Sequence, residues 1–207
     1  MKNTESTVFL VDDDHAVRDA LVLLMETEHL NTESFDSAET FLDACDPDRP
    51  GCLVLDVRMP GMSGIKLQEE LAARGIVIPI IFLTGHADVS MSVQAFRSGA
   101  IDFMEKPFDE NILLERIQEA IRLDQSKRKA LEKQAKAESR LASLTPREVE
   151  ILWLIVAGKA NKEIAAELDL SHRTVESHRG RIIEKTGARS LPDLVELARA
   201  SRGPRQD

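Results

Sequence analysis

Asp12, Asp13 and Asp14 stand in a row directly after a short apolar run, Val8–Val11, and Asp56 closes a second run, Cys52–Asp56. Thr84 ends a third run, Ile80–Thr84, and Lys106 follows a fourth, Asp102–Glu105. If these runs are parallel strands, the six residues meet beyond the carboxyl edge of one sheet, where open α/β folds place their functional crevice. Carboxylates gathered that closely repel one another, and a hard divalent cation with oxygen ligands relieves the repulsion, Mg²⁺ being the natural candidate. A metal-neutralised carboxylate can attack a phosphoryl group, with the cation and Lys106 stabilising charge on its oxygens. Any one of these Asp residues is as readily a turn former or an N-cap. Their combination is what points to phosphoryl chemistry. A metal phosphohydrolase with an Asp-x-Asp nucleophile loop is the competing class, since Asp12-x-Asp14 follows a strand. That class expects Thr or Val where Ala16 stands, and nothing in the chain supplies its usual cap domain.

The elements that must position these groups are legible in the periodicity. Strands are expected at Val8–Val11, Thr32–Phe35, Cys52–Asp56, Ile80–Thr84 and Asp102–Glu105, and helices at Ala16–Glu28, Ala38–Ala44, Ile65–Arg74, Val89–Ser98 and Asn111–Leu123. Short apolar runs alternating with amphipathic stretches predict a five-stranded, doubly wound parallel sheet of α/β class.

The 20 residues from Asp124 to Ser143 lack Gly and Pro and are rich in Lys, Glu, Gln, Ala and Leu. They predict a helical linker whose thin stripe of Leu131, Ala135, Leu141 and Ala142 suits a solvated spacer better than a pairing element. Beyond it, four helices are expected in a small all-α unit. Their start signals are Thr145-Pro146-Arg147-Glu148, Asn161, Ser171 and Ser190-Leu191-Pro192, with stops at Gly158 and Gly187. The domain boundaries read from this pattern are 1–124, 125–142 for the linker, and 143–207.

Charge divides the chain in the same place. Residues 1–125 carry 10 Lys and Arg against 24 Asp and Glu, whereas residues 126–207 carry 17 against 12. An acidic module that attracts a cation is followed by a basic one with the electrostatic footprint of phosphate-backbone binding. The two cysteines, Cys45 and Cys52, form no CxxC or Cys/His cluster and read as ordinary thiols, which excludes a disulfide framework and a zinc site. No apolar run approaches a membrane span, and Val8–Val11 is too short for a secretory h-region, so a cytoplasmic protein without membrane partners is expected. His15 and His86 flank the acidic cluster and read as solvent-facing loop residues.

In the third expected helix of the basic unit, Val175, His178, Ile182 and Thr186 fall on one face and should pack inward, leaving Arg173, Glu176, Ser177, Gly180 and Arg181 outside. Small residues that let a helix approach base edges, with arginines that reach guanine or phosphate, fit a helix-turn-helix recognition helix.

The motifs VDDD, LDVRMPGMSG, LTGH and EKPF, in this order and spacing, resemble the flavodoxin-like receiver domain of two-component response regulators over about 120 residues. The segment from Leu144 to Ala198 resembles the LuxR-type (NarL/FixJ) DNA-binding domain nearly end to end, and the pairing is similar to the FixJ-like class of transcription regulators. The resemblance implies that Asp56 is the phosphoacceptor and that Mg²⁺ is held by Asp13 directly, by Asp12 mainly through water, by Asp56 and by the backbone carbonyl of Arg58. It implies Thr84 as the switch hydroxyl, Lys106 as its cationic partner before a cis Pro107, and Phe103 as a rotating aromatic. On the DNA side it implies that Lys162 and Thr174 contact phosphates. Glu176, Ser177 and Gly180 would read bases, helped by Arg179 and Arg181. Many relatives carry Lys where Glu176 stands, so Glu176 accepts from cytosine N4 or orients Arg173 or Arg179.

The implied partners are a sensor histidine kinase, double-stranded promoter DNA, a second copy of the chain when phosphorylated, and RNA polymerase. The protein is then a regulator rather than an enzyme. Phosphorylation would promote dimerisation, with Val89–Ser98 and the fifth strand as its surface, or release of the helical domain, and transcription would rise. A constitutive DNA-binding regulator with a non-signalling receiver is the alternative, opposed by the complete set of Asp12, Asp13, Asp56, Thr84 and Lys106.

Overall fold

The structure is a computed structural model that describes residues 5–85, 95 and 98–201. The chain divides into two compact units, residues 1–128 and 129–207.

In the first unit, β1 (Thr7–Val11), β2 (Asn31–Phe35), β3 (Gly51–Asp56), β4 (Ile80–Thr84) and β5 (Asp102–Glu105) form one parallel sheet in the order β2-β1-β3-β4-β5. All residues of β1, β3 and β4 are buried, whereas β2 and β5 are only partly covered. Central parallel strands are covered on both faces, which is why they read as continuous apolar runs. Successive side chains alternate between two cores. Phe9, Val11, Leu53, Leu55, Ile80 and Phe82 face α2 (Ala38–Ala44) and α3 (Gly64–Ala73) through Phe41, Leu67 and Leu71. Val8, Leu10, Cys52, Val54, Ile81 and Leu83 face α1 (His15–Thr27) and α4 (Glu110–Leu141) through Leu21, Met25, Leu113 and Ile117. The expected helix Val89–Ser98 lies outside the described residues except for Ala95, which is buried in the first of these cores, and Ser98.

The last receiver helix and the expected linker are one 32-residue helix, α4, about 48 Å long at 1.5 Å per residue. No Gly or Pro interrupts it. Its buried Asp124 accepts from Gly51 N at 2.9 Å and from Arg128 Nε at 2.8 Å. Arg128 in turn donates to the carbonyls of Pro47, Asp48 and Arg49. The start of β3 is thereby tied to this helix, an arrangement invisible to local periodicity because the partners are more than 70 residues apart.

The second unit contains α5 (Pro146–Val156), α6 (Asn161–Glu167), α7 (His172–Thr186) and α8 (Leu191–Ala200) around Ile151, Leu152, Ile155, Ile164, Val175, Ile182, Leu194 and Ala198. Thr145 caps α5 with Glu148 in a reciprocal capping box, Ser171 caps α7 and Ser190 caps α8. Gly187 ends α7 in the left-handed region at φ 65°. α6 starts at Asn161 as expected, and Ala160 occupies the cap position in extended backbone. Glu163 reaches back to accept from Ala160 N at 2.7 Å, so half of a capping box suffices there.

Glu148 is buried, accepts from Lys185 Nζ at 2.7 Å and from Thr145 N at 2.8 Å, and is held at a pKa of about 2, first by the Lys185 contact and then by the backbone donor. A carboxylate depressed below its ordinary 4.5 stabilises the folded state fully above pH 4.5 and loses that contribution as pH falls toward about 2. The urea midpoint of this unit, followed through Trp153 fluorescence, is expected to fall between about pH 6 and pH 3. The Glu148→Gln variant is expected to be less stable at neutral pH and flatter across that window. An equally steep decline in both would assign the pH dependence elsewhere.

Candidate functional site

The carboxyl edge of the sheet gathers the predicted acidic site. Asp12 lies one residue beyond β1, Asp56 closes β3, Thr84 closes β4 and Lys106 follows β5. Asp12, Asp56 and Thr84 are 2%, 5% and 1% exposed, so the two carboxylates lie where water solvates them poorly. Lys106 Nζ bridges them, 2.5 Å from Asp12 Oδ2 and 2.7 Å from Asp56 Oδ1. Burial pushes the Asp56 carboxyl above the usual carboxylate range, and the neighbouring Asp12 charge adds to it. The Lys106 contact and the Arg58 backbone donor oppose the shift without cancelling it.

Backbone contacts hold each member in place. Asp56 Oδ2 accepts from Arg58 N at 2.7 Å, and Asp12 Oδ1 accepts from Asp14 N at 2.9 Å. Asp14, the third of the acidic run, caps α1 and accepts from Ala16 N at 2.8 Å; its role in the structure is the turn-forming one. Asp13 is exposed beside the pocket. Lys106 N donates to the Thr84 carbonyl at 2.7 Å, and Lys106-Pro107 is cis as expected. Phe103 is half-buried and opposite Phe82 in the β4–β5 register, with ring centroids 6.1 Å apart. The first turn of α3 passes so close to β3 that a Cβ on Gly64 would lie 2.2 Å from the Asp56 carbonyl oxygen, which explains Gly at the end of the LDVRMPGMSG motif.

Two supporting residues carried no sequence signal. Arg18 Nη1 donates to the Asp12 carbonyl at 2.7 Å, and Glu39 Oε1 accepts from Met62 N at 3.0 Å in the loop beyond Asp56. Both reach a loop from a helix surface that looks merely solvated in sequence. His15 is exposed as expected but opens α1 rather than lying in a loop, and it pairs with Asp19 on that helix, while His86 lies outside the described residues.

The donor set suits a hard cation by its chemistry, since Asp12, Asp13, Asp56 and a backbone carbonyl offer only oxygen. The two buried carboxylates also outnumber the one ammonium between them. Among the described residues no three His, Cys, Asp or Glu side chains already converge on a common metal position. Lys106 occupies the space between Asp12 and Asp56 instead.

In the second unit, α6 and α7 pack against each other across a turn in which Asp169 adopts φ 53°. Val175, Ile182 and Thr186 are buried, and His178 is half-buried, as their spacing predicted. Lys162, Arg173, Glu176, Ser177, Gly180 and Arg181 are exposed, while Thr174 and Arg179 are half-buried. The Glu176 carboxylate lies 3.5 Å from His172 Nδ1 on the preceding turn, a neighbour that the sequence reading, which set it beside Arg173 or Arg179, did not include.

Residues 8–118 match the response regulator receiver domain, and residues 142–198 match the bacterial regulatory proteins of the luxR family. Transcriptional regulatory protein TdiR of Thauera aromatica is 45% identical over 192 residues, spanning 93% of this chain and 85% of that protein. Transcriptional regulatory protein FixJ of Bradyrhizobium diazoefficiens is 41% identical over 195 residues, spanning 94% and 95%. Among solved structures, response regulator StyR superposes with a TM-score of 0.85 at 47% identity, covering 94% of this chain and 98% of that one. Full-length FixJ from B. japonicum gives 0.60 at 40% identity, covering 96% and 98%.

The fold, the bridged aspartate pocket and these matches define a two-component response regulator. The chain belongs to the family that joins a receiver to a LuxR-type DNA-binding domain, whose members are transcription regulators rather than enzymes. No helix among the described residues is long and apolar enough to cross a membrane.

Proposed function

We propose that Asp56 accepts a phosphoryl group from a sensor histidine kinase and that its occupancy governs binding of the second unit to promoter DNA. The observation that carries this reading is the Lys106 bridge between Asp12 and Asp56, a buried acid pair held by one cation at the edge of the sheet. Attack by Asp56 Oδ1 on phosphorus forms an O–P bond as the P–N bond of the kinase's phosphohistidine breaks and its imidazole leaves; this removes that oxygen from Lys106, whose ammonium is then free to donate to the phosphoryl oxygens. Thr84 at the end of β4 offers a hydroxyl to the same group, and Phe103, whose ring lies tilted against that of Phe82, follows the rearrangement. Asp12, Asp13, Asp56 and the Arg58 carbonyl would hold Mg²⁺, which would supply charge neutralisation for the phosphoryl group.

An apolar groove beside Lys106, lined by Val17, Ala20, Leu24, Pro107 and Phe108, gives the kinase a surface to seat against while its phosphohistidine faces Asp56. On the output side, Lys162 and Thr174 contact phosphates, and α7 enters the major groove with Arg173, Glu176, Ser177, Arg179, Gly180 and Arg181. Occupancy of Asp56 favours a homodimer or releases the helical unit, and the DNA-bound protein engages RNA polymerase to raise transcription. The protein acts in the cytoplasm, where the kinase output and the chromosome meet.

The test combines both ends of the molecule. With Mg²⁺ and a small-molecule phosphodonor, the full chain is expected to gain one phosphoryl group by intact mass. It is also expected to bind a duplex selected from a random library at least about tenfold more tightly than the untreated chain. No gain in mass would refute the phosphoacceptor reading. A gain in mass with unchanged affinity would leave constitutive DNA binding as the function.

A further inference from the structure

We propose that Gly180 marks the point where α7 lies closest to the base edges, so that its missing side chain is a specificity determinant rather than a tolerated vacancy. The inference rests on the DNA-binding reading above and adds the depth and register of the recognition helix. Gly180 is exposed in the interior of a 15-residue helix and has ordinary right-handed backbone, being absent from the positive-φ glycines. A Cβ built on it meets nothing within 4 Å. The fold therefore has no use for glycine at this position, neither for a turn nor for a close intramolecular approach. Glycine is nevertheless the poorest helix former after proline, and any ordinary residue would stabilise α7. A position that weakens its own helix and relieves no contact within the chain points to a contact outside it.

Helical spacing identifies the contact. Arg173, Ser177, Gly180 and Glu184 follow one another at i, i+4, i+7 and i+11, forming the midline of the face opposite the buried Val175, Ile182 and Thr186. Ser177 and Gly180 make the centre of that line a shallow saddle. Glu176 and the exposed Ile183 rise on one flank, and Arg181 on the other. A helix with its side chains is about 10–12 Å across and the B-DNA major groove about 12 Å wide, so the helix enters deeply only where its leading line is small. With Gly180 at the floor, the flanking Glu176, Ile183 and Arg181 sit level with base edges. A side chain at 180 lifts the helix and withdraws all of them together.

The experiment uses the full chain carrying beryllofluoride and Mg²⁺. The wild type selects a duplex from a random library, and affinities of wild type, Gly180→Ala and Gly180→Leu are then measured for that duplex and for a scrambled one of equal length. The Trp153-monitored melting midpoint of the second unit is expected to rise by about 4–8 °C in the Ala variant, as better helix formers predict. Affinity for the selected duplex is expected to fall about threefold for Ala and tenfold or more for Leu, with affinity for the scrambled duplex changing less than about twofold. Stabilised variants that keep wild-type affinity for the selected duplex would overturn the proposal. So would an equal loss on both duplexes, which places residue 180 against the phosphate backbone instead. A wild type that enriches no sequence would overturn the DNA-binding reading and, with it, this inference.

Discussion

Lys106→Ala is expected to destabilise the receiver by about 3 kcal/mol, as an unfolding midpoint in urea followed by far-UV circular dichroism. The ammonium lies 2.5 Å and 2.7 Å from two carboxylates that are almost wholly buried, so its removal leaves two poorly solvated anions facing each other. Removing one partner from a buried ion set costs about 3–5 kcal/mol, and the lower end applies because the Lys106 side chain keeps 20% of its surface in water. Two controls separate this electrostatic cause from loss of packing by the lysine stem. Adding Asp12→Asn to Lys106→Ala removes the repulsion and is expected to recover part of the loss, and millimolar Mg²⁺ is expected to stabilise the single variant more than the wild type. A variant that is equally unstable with and without Asp12→Asn would show that the stem, not the charge, is what the receiver needs.

Asp56→Asn is expected to have the opposite structural effect and a larger functional one. Asn keeps the shape of Asp56 and an oxygen for Arg58 N or Lys106 Nζ while removing one of two buried like charges, and burial is the main cause holding the Asp56 carboxyl above its ordinary range. The receiver is therefore expected to unfold at the same urea concentration as wild type or a higher one. Phosphoryl uptake from a small-molecule donor is expected to vanish, because an amide oxygen is no nucleophile for phosphorus at neutral pH. Undiminished uptake would place the acceptor elsewhere in the acidic cluster, with the exposed Asp13 the first residue to replace.

Much of this site was legible before any coordinates, for a physical reason. A parallel sheet exposes only its strand ends, so a residue that closes an apolar run has its position in space fixed by its position in sequence. Asp12, Asp56, Thr84 and Lys106 are all of this kind, and the strand boundaries agree to within a residue. Cap signals were equally local, as Thr145 with Glu148 and Ser171 with Thr174 show. Contacts reaching from a distant helix surface were not legible. Arg18, Glu39 and Arg128 are charged residues at solvated-looking positions, and only the folded chain shows that each holds a loop by its backbone. The linker composition predicted helix correctly, but its tie to the start of β3 through Asp124 and Arg128 was not legible, because their partners lie more than 70 residues away in sequence.

The central claim, that occupancy of Asp56 switches the state of the whole chain, is tested most directly by molar mass. Light scattering is run on wild type and Asp56→Asn in Mg²⁺, before and after addition of beryllofluoride, which mimics the phosphoryl group at an aspartate. A rise from monomer to dimer in the wild type, absent from Asp56→Asn, is the predicted result. Identical masses in all four samples would contradict dimerisation as the output, and an equal rise in both proteins would contradict Asp56 as the switch.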